Sequence, residues 1–186
     1  LHSRRALCQE PATFETRRMK NPASIIANGE AIRIPSISGM HGAEVDYEGE
    51  LAVILGQDLR NASRETAMEA ISGYAVGNDV TARWWQKKGS GGQWIRGKSF
   101  DTFCPISEMV PASRITDPQD LTLTTKVNGE VRQHASTGDM IFPVIELLTD
   151  LSRDMTLLAG TVLMTGTPEG VGAGRLQTRR TGAGRG

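Results

Sequence analysis

The stretch "VDYEGELAVILG", residues 45–56, constrains this chain more than any other. Glu48 and Glu50 stand two apart, and strand residues two apart project to the same side of a sheet. The run continues as Leu51 to Leu55, apolar at every position, the pattern of a strand covered on both faces. Two unit charges 4 Å apart repel by about 4 kcal/mol at an effective dielectric of 20. Burial without a partner adds to that cost. A fold that accepts this stretch must turn the pair to solvent at a sheet edge, or bring a cation to it. Carboxylate oxygens plus waters suit a hard divalent ion such as Mg²⁺, Mn²⁺ or Ca²⁺. The histidines, His2, His41 and His134, are widely separated and form no cluster with cysteine, so zinc finds no ligand set.

The rest of the composition narrows the function classes. In 186 residues, 21 basic and 21 acidic side chains give zero formal net charge, which argues against nucleic acid or an anionic membrane surface as a partner. The longest apolar run falls far short of the roughly 20 residues that span a bilayer. The opening "LHSRRALCQEPATFE" has no apolar block of signal-peptide length. Cys8 and Cys104 read as idle thiols in a reducing compartment rather than a disulfide, which places the chain in the cytoplasm or, in a eukaryote, the mitochondrial matrix. The length suits one medium domain with a real core.

Local patterns predict an α+β chain that is mainly β with a few peripheral helices. "NASRETAMEAISG" reads as a helix, with Ala67, Ala70 and Ile71 on one side and Gly73 as its stop. A short strand from Tyr74 to Gly77 follows, ending at Asn78-Asp79, then a short helix from Thr81 through "RWWQKK" and the loop "GSGG". Asn128-Gly129 between two β-prone runs predicts a hairpin with a type I′ turn, whose central residues both need positive φ. "GDMIFPVIELLTDLSR" predicts an amphipathic helix with Asp139 near its N-cap, Pro143 early, and Val144, Leu147, Leu148 and Leu151 facing the core. "TVLMTGTPEGVGAG" predicts a strand running into a glycine-rich loop.

Other candidates carry two readings each. Asp79 follows an apolar strand, as a third carboxylate for the glutamate pair or as a helix N-cap with Thr81. "GQWIRGKS", Gly92 to Ser99, fits the phosphate-loop pattern letter by letter. That mechanism needs a strand before the loop and a helix after it, and here "FDTFCP" follows, so nucleotide binding is not the expectation. Lys98 is then a cation for an anionic substrate oxygen, or a solvated surface lysine. "TGTPEGVG", residues 165–172, offers hydroxyls and open backbone N–H groups for a carboxylate, or is an ordinary tight turn. There is no G-x-S-x-G elbow and no Cys-His signature for acyl-enzyme chemistry.

In order, "VDYEGELAVILG", "GYAVGNDVTARWWQ", "GGQWIRGKSFDTFCPIS", "VNGEVRQ" and "LMTGTPEGVG" resemble the fumarylacetoacetate hydrolase family, from about Asn21 to Gly174. The likeness is to its domain-containing members, type 2-like, rather than to fumarylacetoacetase with its extra N-terminal domain. It implies a mixed β-roll or barrel, a homodimer, and a divalent metal held by Glu48, Glu50 and Asp79. It implies substrate contacts by Arg83 and Gln86, an active-site lysine at Lys98, and a carboxylate-binding turn at Gly166 and Thr167. The family's substrates are small anionic oxo-acids or β-dicarbonyl acids. The implied activity is hydrolysis of a C–C bond in acylpyruvate-type substrates through a stabilised enolate. The alternatives at the same site are tautomerisation, isomerisation or decarboxylation of oxaloacetate, or an inactive truncated member.

Two departures stand out. Many members carry H-x-x-E near the N-terminus to activate water. The candidate here is His2, within a lid-like segment 1–20, but Arg5 stands where glutamate is expected. Members also continue past "GVG" with a Pro-Gly-Asp turn and further strands. "RLQTRRTGAGRG" has neither, so residues 175–186 read as a disordered tail after a catalytic domain at 21–174, in a chain truncated or altered at its ends.

Overall fold

The structure is a computed structural model and describes residues 19–41 and 44–173. Its spine follows from the apolar run after the glutamates. Strand β3 (Gly49–Leu55) is buried along nearly its whole length, and both of its edges are paired. On one side lies the antiparallel β4 (Ile71–Asn78), in register Leu51 to Val76 and Val53 to Tyr74. On the other lies the antiparallel β10 (Val162–Met164), with Leu163 opposite Val53.

The far edge of β4 is shared by β6 (Cys104–Ile106) at Gly77 and β7 (Val110–Pro111) at Gly73 and Tyr74. Strand β1 (Ile25–Ala27) adds parallel to β6, which completes a six-stranded sheet. Two small sheets complete the strands: β2 (Val45–Asp46) with β5 (Thr81–Ala82), and the hairpin β8 (Thr122–Val127) with β9 (Glu130–Ser136). The mainly β, mixed architecture is as expected, but among the described residues the sheets stay open rather than closing into a barrel, since β1 and β10 end the sheet without meeting.

Among the described residues, four short α-helices lie outside the sheets: α1 (Arg64–Glu69), α2 (Arg83–Gln86), α3 (Ile95–Lys98) and α4 (Val144–Leu151). The face of α4 predicted to be apolar is buried, and Ile145 joins it. It packs with Leu51, Val53 and Leu55 of β3 and Leu123 of the hairpin into the main core, where each buried aliphatic side chain contributes roughly 1.5–3 kcal/mol. A smaller cluster of Val80, Ala82 and Phe103, flanked by Trp85 and Phe100, supports α2 and α3.

Several boundaries differ from the sequence reading. Helix α1 stops at Glu69, and Ile71 and Gly73 belong to β4, because pairing with β3 already begins at Ile71 opposite Leu55. Gly73 is no helix stop: a Cβ there would meet the Val110 carbonyl oxygen at 2.4 Å, where β7 crosses. Thr81 and Ala82 pair with β2, so α2 starts only at Arg83. Asp139 sits in a 3₁₀ turn, and Pro143 occupies the N-cap of α4, whose Val144 N–H is taken by Gln119 Oε1 at 2.8 Å. The hairpin turn is as predicted, with φ 52° at Asn128 and 80° at Gly129.

Candidate metal centre

Glu48 ends the loop before β3 and Glu50 is its second residue; both are buried. Asp79 follows β4, and its N–H donates to the Glu48 carbonyl at 2.8 Å, so strand pairing itself carries Asp79 to the glutamate pair. One carboxylate oxygen from each of Glu48, Glu50 and Asp79 lies within 4.8 Å of the others. Ligands on opposite sides of an ion bound at roughly 2.0–2.6 Å are separated by about that span.

Lys98 is not a solvated lysine. Its side chain is fully buried, and its ammonium donates to Glu48 Oε2 at 2.7 Å, to Thr81 Oγ1 at 2.9 Å and, by a short contact, to Asp79 Oδ2. Those three bonds use all its protons. The "IRGK" run is the short helix α3 rather than a phosphate loop, and its glycine has a packing reason. A Cβ on Gly97 would stand 2.4 Å from the Gln86 backbone nitrogen and 2.8 Å from the Ala82 carbonyl oxygen. Only the bare backbone lets α3 lie close enough to α2 for Lys98 to reach the carboxylates.

Arg83 spans two acids. Its Nη1 donates to Glu48 Oε1 at 2.6 Å and to Gln86 Oε1 at 3.2 Å, while Nε and Nη2 both hold Asp46 Oδ2. Gly166, at φ 93°, gives its N–H to Glu50 Oε2 at 2.8 Å. The Thr167 hydroxyl donates to the Gly49 carbonyl at 2.9 Å. Glu48, Glu50, Asp79, Arg83, Gln86, Lys98, Gly166 and Thr167 are thus linked by contacts or proximity around one place. His2 lies outside the described residues, as do the segment before Met19 and the tail.

Three participants had not been singled out. Lys20 donates to Asp79 Oδ1 at 2.7 Å and, by a short contact, to the Lys98 carbonyl. Asp46 accepts from Arg83 and from the N–H groups of Gly172 and Ala173 at 2.7 and 2.9 Å. Gln133, buried on β9, bonds Gly49, Thr167 and Pro168. Asp46 had a signal: the alternation of Glu48 and Glu50 extends back to it in "DYEGE". Gln133 closes the "VNGEVRQ" motif without being singled out in it, and Lys20 had no signal.

The charges are unevenly matched. Burial opposes ionisation of Asp79, but the Lys98 and Lys20 ammonium groups outweigh it and hold the carboxyl below its ordinary value. Glu50 has the opposite balance: burial, then the Asp79 charge and the Glu48 charge, push its carboxyl up to about 7. Its hydrogen-bond partner is the neutral Gly166 N–H. The protein's own cations grip Glu48 and Asp79 and leave Glu50 short of positive charge, an environment that a divalent ion among the three carboxylates fits.

The family model for the fumarylacetoacetate hydrolase C-terminal domain matches residues 2–184, and the chain belongs to that family. It is 42% identical over 168 residues to a mitochondrial oxaloacetate tautomerase of Xenopus laevis, covering 90% of this chain and 50% of that protein. It is 44% identical over 170 residues to a mitochondrial oxaloacetate tautomerase of Arabidopsis thaliana, covering 90% and 72%. The fold matches that of fumarylpyruvate hydrolase from Pseudomonas aeruginosa, solved in complex with Mn²⁺ and pyruvate, with a TM-score of 0.73, 35% identity, and coverage of 82% of this chain and 66% of that one. The chain spans about half to three-quarters of the length of the curated relatives it matches.

Proposed function

We propose that the chain is a divalent-metal-dependent enzyme acting on small oxo-acids, with Glu48, Glu50 and Asp79 as the metal ligands. The observation that carries the reading is the buried carboxylate triad, within 4.8 Å and only partly neutralised by the protein's own cations. Mg²⁺ is the favoured ion, since an all-oxygen ligand set with room for water suits it; Mn²⁺ in the Pseudomonas aeruginosa neighbour shows the alternative in a relative.

When bound, the ion supplies Lewis-acid polarisation of the adjacent oxygens of an oxo-acid. The chain's own residues do the rest. Lys98 and Arg83 fix Glu48 and Asp79 and keep the local charge from running strongly negative, so that an anionic substrate is not repelled. Gln86 sits beside Arg83 and shares its guanidinium. The turn at Gly166 and Thr167 offers the Thr167 main-chain N–H to a substrate carboxylate, the Gly166 N–H being held by Glu50.

Between reactions of this class, keto–enol tautomerisation of oxaloacetate is the reading supported by the relatives' names. C–C hydrolysis of an acylpyruvate is the second reading, supported by the fumarylpyruvate hydrolase neighbour. A homodimer, on the resemblance alone, and a place in the cytoplasm or mitochondrial matrix, on the mitochondrial relatives, belong to the same proposal. A panel of oxaloacetate and acylpyruvates with Mg²⁺ or Mn²⁺, followed by loss of enol absorbance and by product identity, tests it. Tautomerase action gives ketonised oxaloacetate without loss of carbon; hydrolase action gives pyruvate and a second acid. No turnover of any member with either ion overturns the reading.

A further inference from the structure

Around the backbone of Gly49, the residue between the two glutamates, three groups close a ring of hydrogen bonds. Gln133 Oε1 accepts from the Gly49 N–H at 3.0 Å, and Gln133 Nε2 donates to Thr167 Oγ1 at 2.8 Å. The Thr167 hydroxyl completes the ring by donating to the Gly49 carbonyl at 2.9 Å. The second Nε2 proton goes to the Pro168 carbonyl at 2.9 Å, so every atom of the Gln133 amide is committed.

The ring determines how Thr167 can act. A hydroxyl has one proton and two lone pairs. Here the proton points to Gly49 and one lone pair takes the Gln133 amide, so the side chain has no donor left for an anion. A carboxylate arriving at the turn meets the Thr167 main-chain N–H instead, with its orientation fixed by the ring. The hairpin is pressed against this place: a Cβ on Gly49 would stand 2.2 Å from Thr125 Oγ1, and one on Gly170 would stand 2.0 Å from the Arg132 carbonyl oxygen. Strand β9 therefore grips the metal strand and the turn together.

We infer that Gln133 is a positioning residue for the substrate carboxylate: it holds the 165–168 turn at a fixed distance from Glu48 and Glu50 without itself touching metal or substrate. This rests on the proposed oxo-acid function. Two variants separate the role from simple packing. Gln133→Met keeps the volume and removes every hydrogen bond; Gln133→Glu keeps the acceptor for Gly49 and removes the donor to Thr167.

The readouts are Mn²⁺ affinity by electron paramagnetic resonance and pyruvate affinity of the Mn²⁺-loaded protein by calorimetry, neither of which needs turnover. The expected result is Mn²⁺ affinity within about two-fold of the parent and pyruvate affinity at least about tenfold weaker in both variants. Steady-state assays should show the loss mainly in KM. The double variant Gln133→Met with Thr167→Val should lose little beyond either change alone, because the ring acts as a unit. Unchanged pyruvate affinity in the variants overturns the inference. So does a parallel fall of Mn²⁺ affinity, pyruvate affinity and melting temperature, or failure of both variants to fold, since each makes Gln133 merely structural. Failure of the parent chain to bind pyruvate with Mn²⁺ is a different outcome, which overturns the functional reading and this inference with it.

Discussion

Lys98 and Glu48 meet at 2.7 Å, although 50 residues separate them in the chain. The lysine comes from a four-residue helix and the glutamate from the loop before the central strand. Their contact ties the peripheral helices to the acidic centre, and its energetics are lopsided. A buried pair need not add net stability, but removing one partner leaves a charge stranded in low dielectric.

Replacement by Lys98→Met should therefore destabilise the metal-free chain by about 3–5 kcal/mol, since Glu48 and Asp79 both lose a buried cation. Urea denaturation in excess chelator measures this. Saturating Mn²⁺ should reduce the deficit, because the ion takes over the compensation. A midpoint unchanged by the substitution would show that Lys98 does not neutralise the carboxylates.

Gly97→Ala should cost about 1–3 kcal/mol, because the added methyl meets backbone atoms of Gln86 and Ala82 that cannot rotate aside. Gly39→Ala, where nothing lies within 4 Å, serves as the control and should be close to neutral. Thermal melting of the two variants side by side separates steric pressure from a general intolerance of alanine.

How far these features were legible differs by element. The period-two alternation at Glu48 and Glu50 and the unbroken apolar run behind it announced a buried strand with a charge problem. The Asn128-Gly129 pair announced its hairpin because few residue pairs accept two positive φ angles. The end of α1 was misplaced because Ala70 and Ile71 fit a helical face as well as a strand start, and only pairing with Leu55 decides. Gly97 and Lys98 fit a phosphate motif letter by letter, and only the missing strand–loop–helix context argued against it, since a glycine demanded by close helix packing looks the same in sequence as one demanded by a ligand. Lys20 and Gln133 act through contacts 59 and 84 residues away, and no local pattern reports such a distance.

Acidity should be linked to the metal through Glu50. Its carboxyl titrates near 7 in the folded chain against an ordinary 4.5, so the folded state binds this proton more tightly than the unfolded one. In the metal-free chain the resulting stability is fully present below about 4.5 and is lost as pH rises toward 7, by roughly 3 kcal/mol. Metal affinity runs the other way: the ligand must be ionised, so binding tightens up to about pH 7 and releases close to one proton below it. Calorimetry of Mn²⁺ binding at pH 6 in two buffers of different ionisation enthalpy counts that proton. A count near zero would mean that Glu50 is already ionised or is not a ligand.

Glu48, Glu50 and Asp79 are proposed as one divalent-metal centre on which turnover depends. The most direct measurement is Mn²⁺ stoichiometry and oxaloacetate turnover on the same samples, for the parent chain, the parent in excess chelator, and Glu50→Gln. The expected result is one Mn²⁺ per chain in the parent, activity abolished by chelator and restored by the ion, and Mn²⁺ affinity at least about tenfold weaker in Glu50→Gln. Full turnover in excess chelator, or unaltered Mn²⁺ binding in Glu50→Gln, would contradict it.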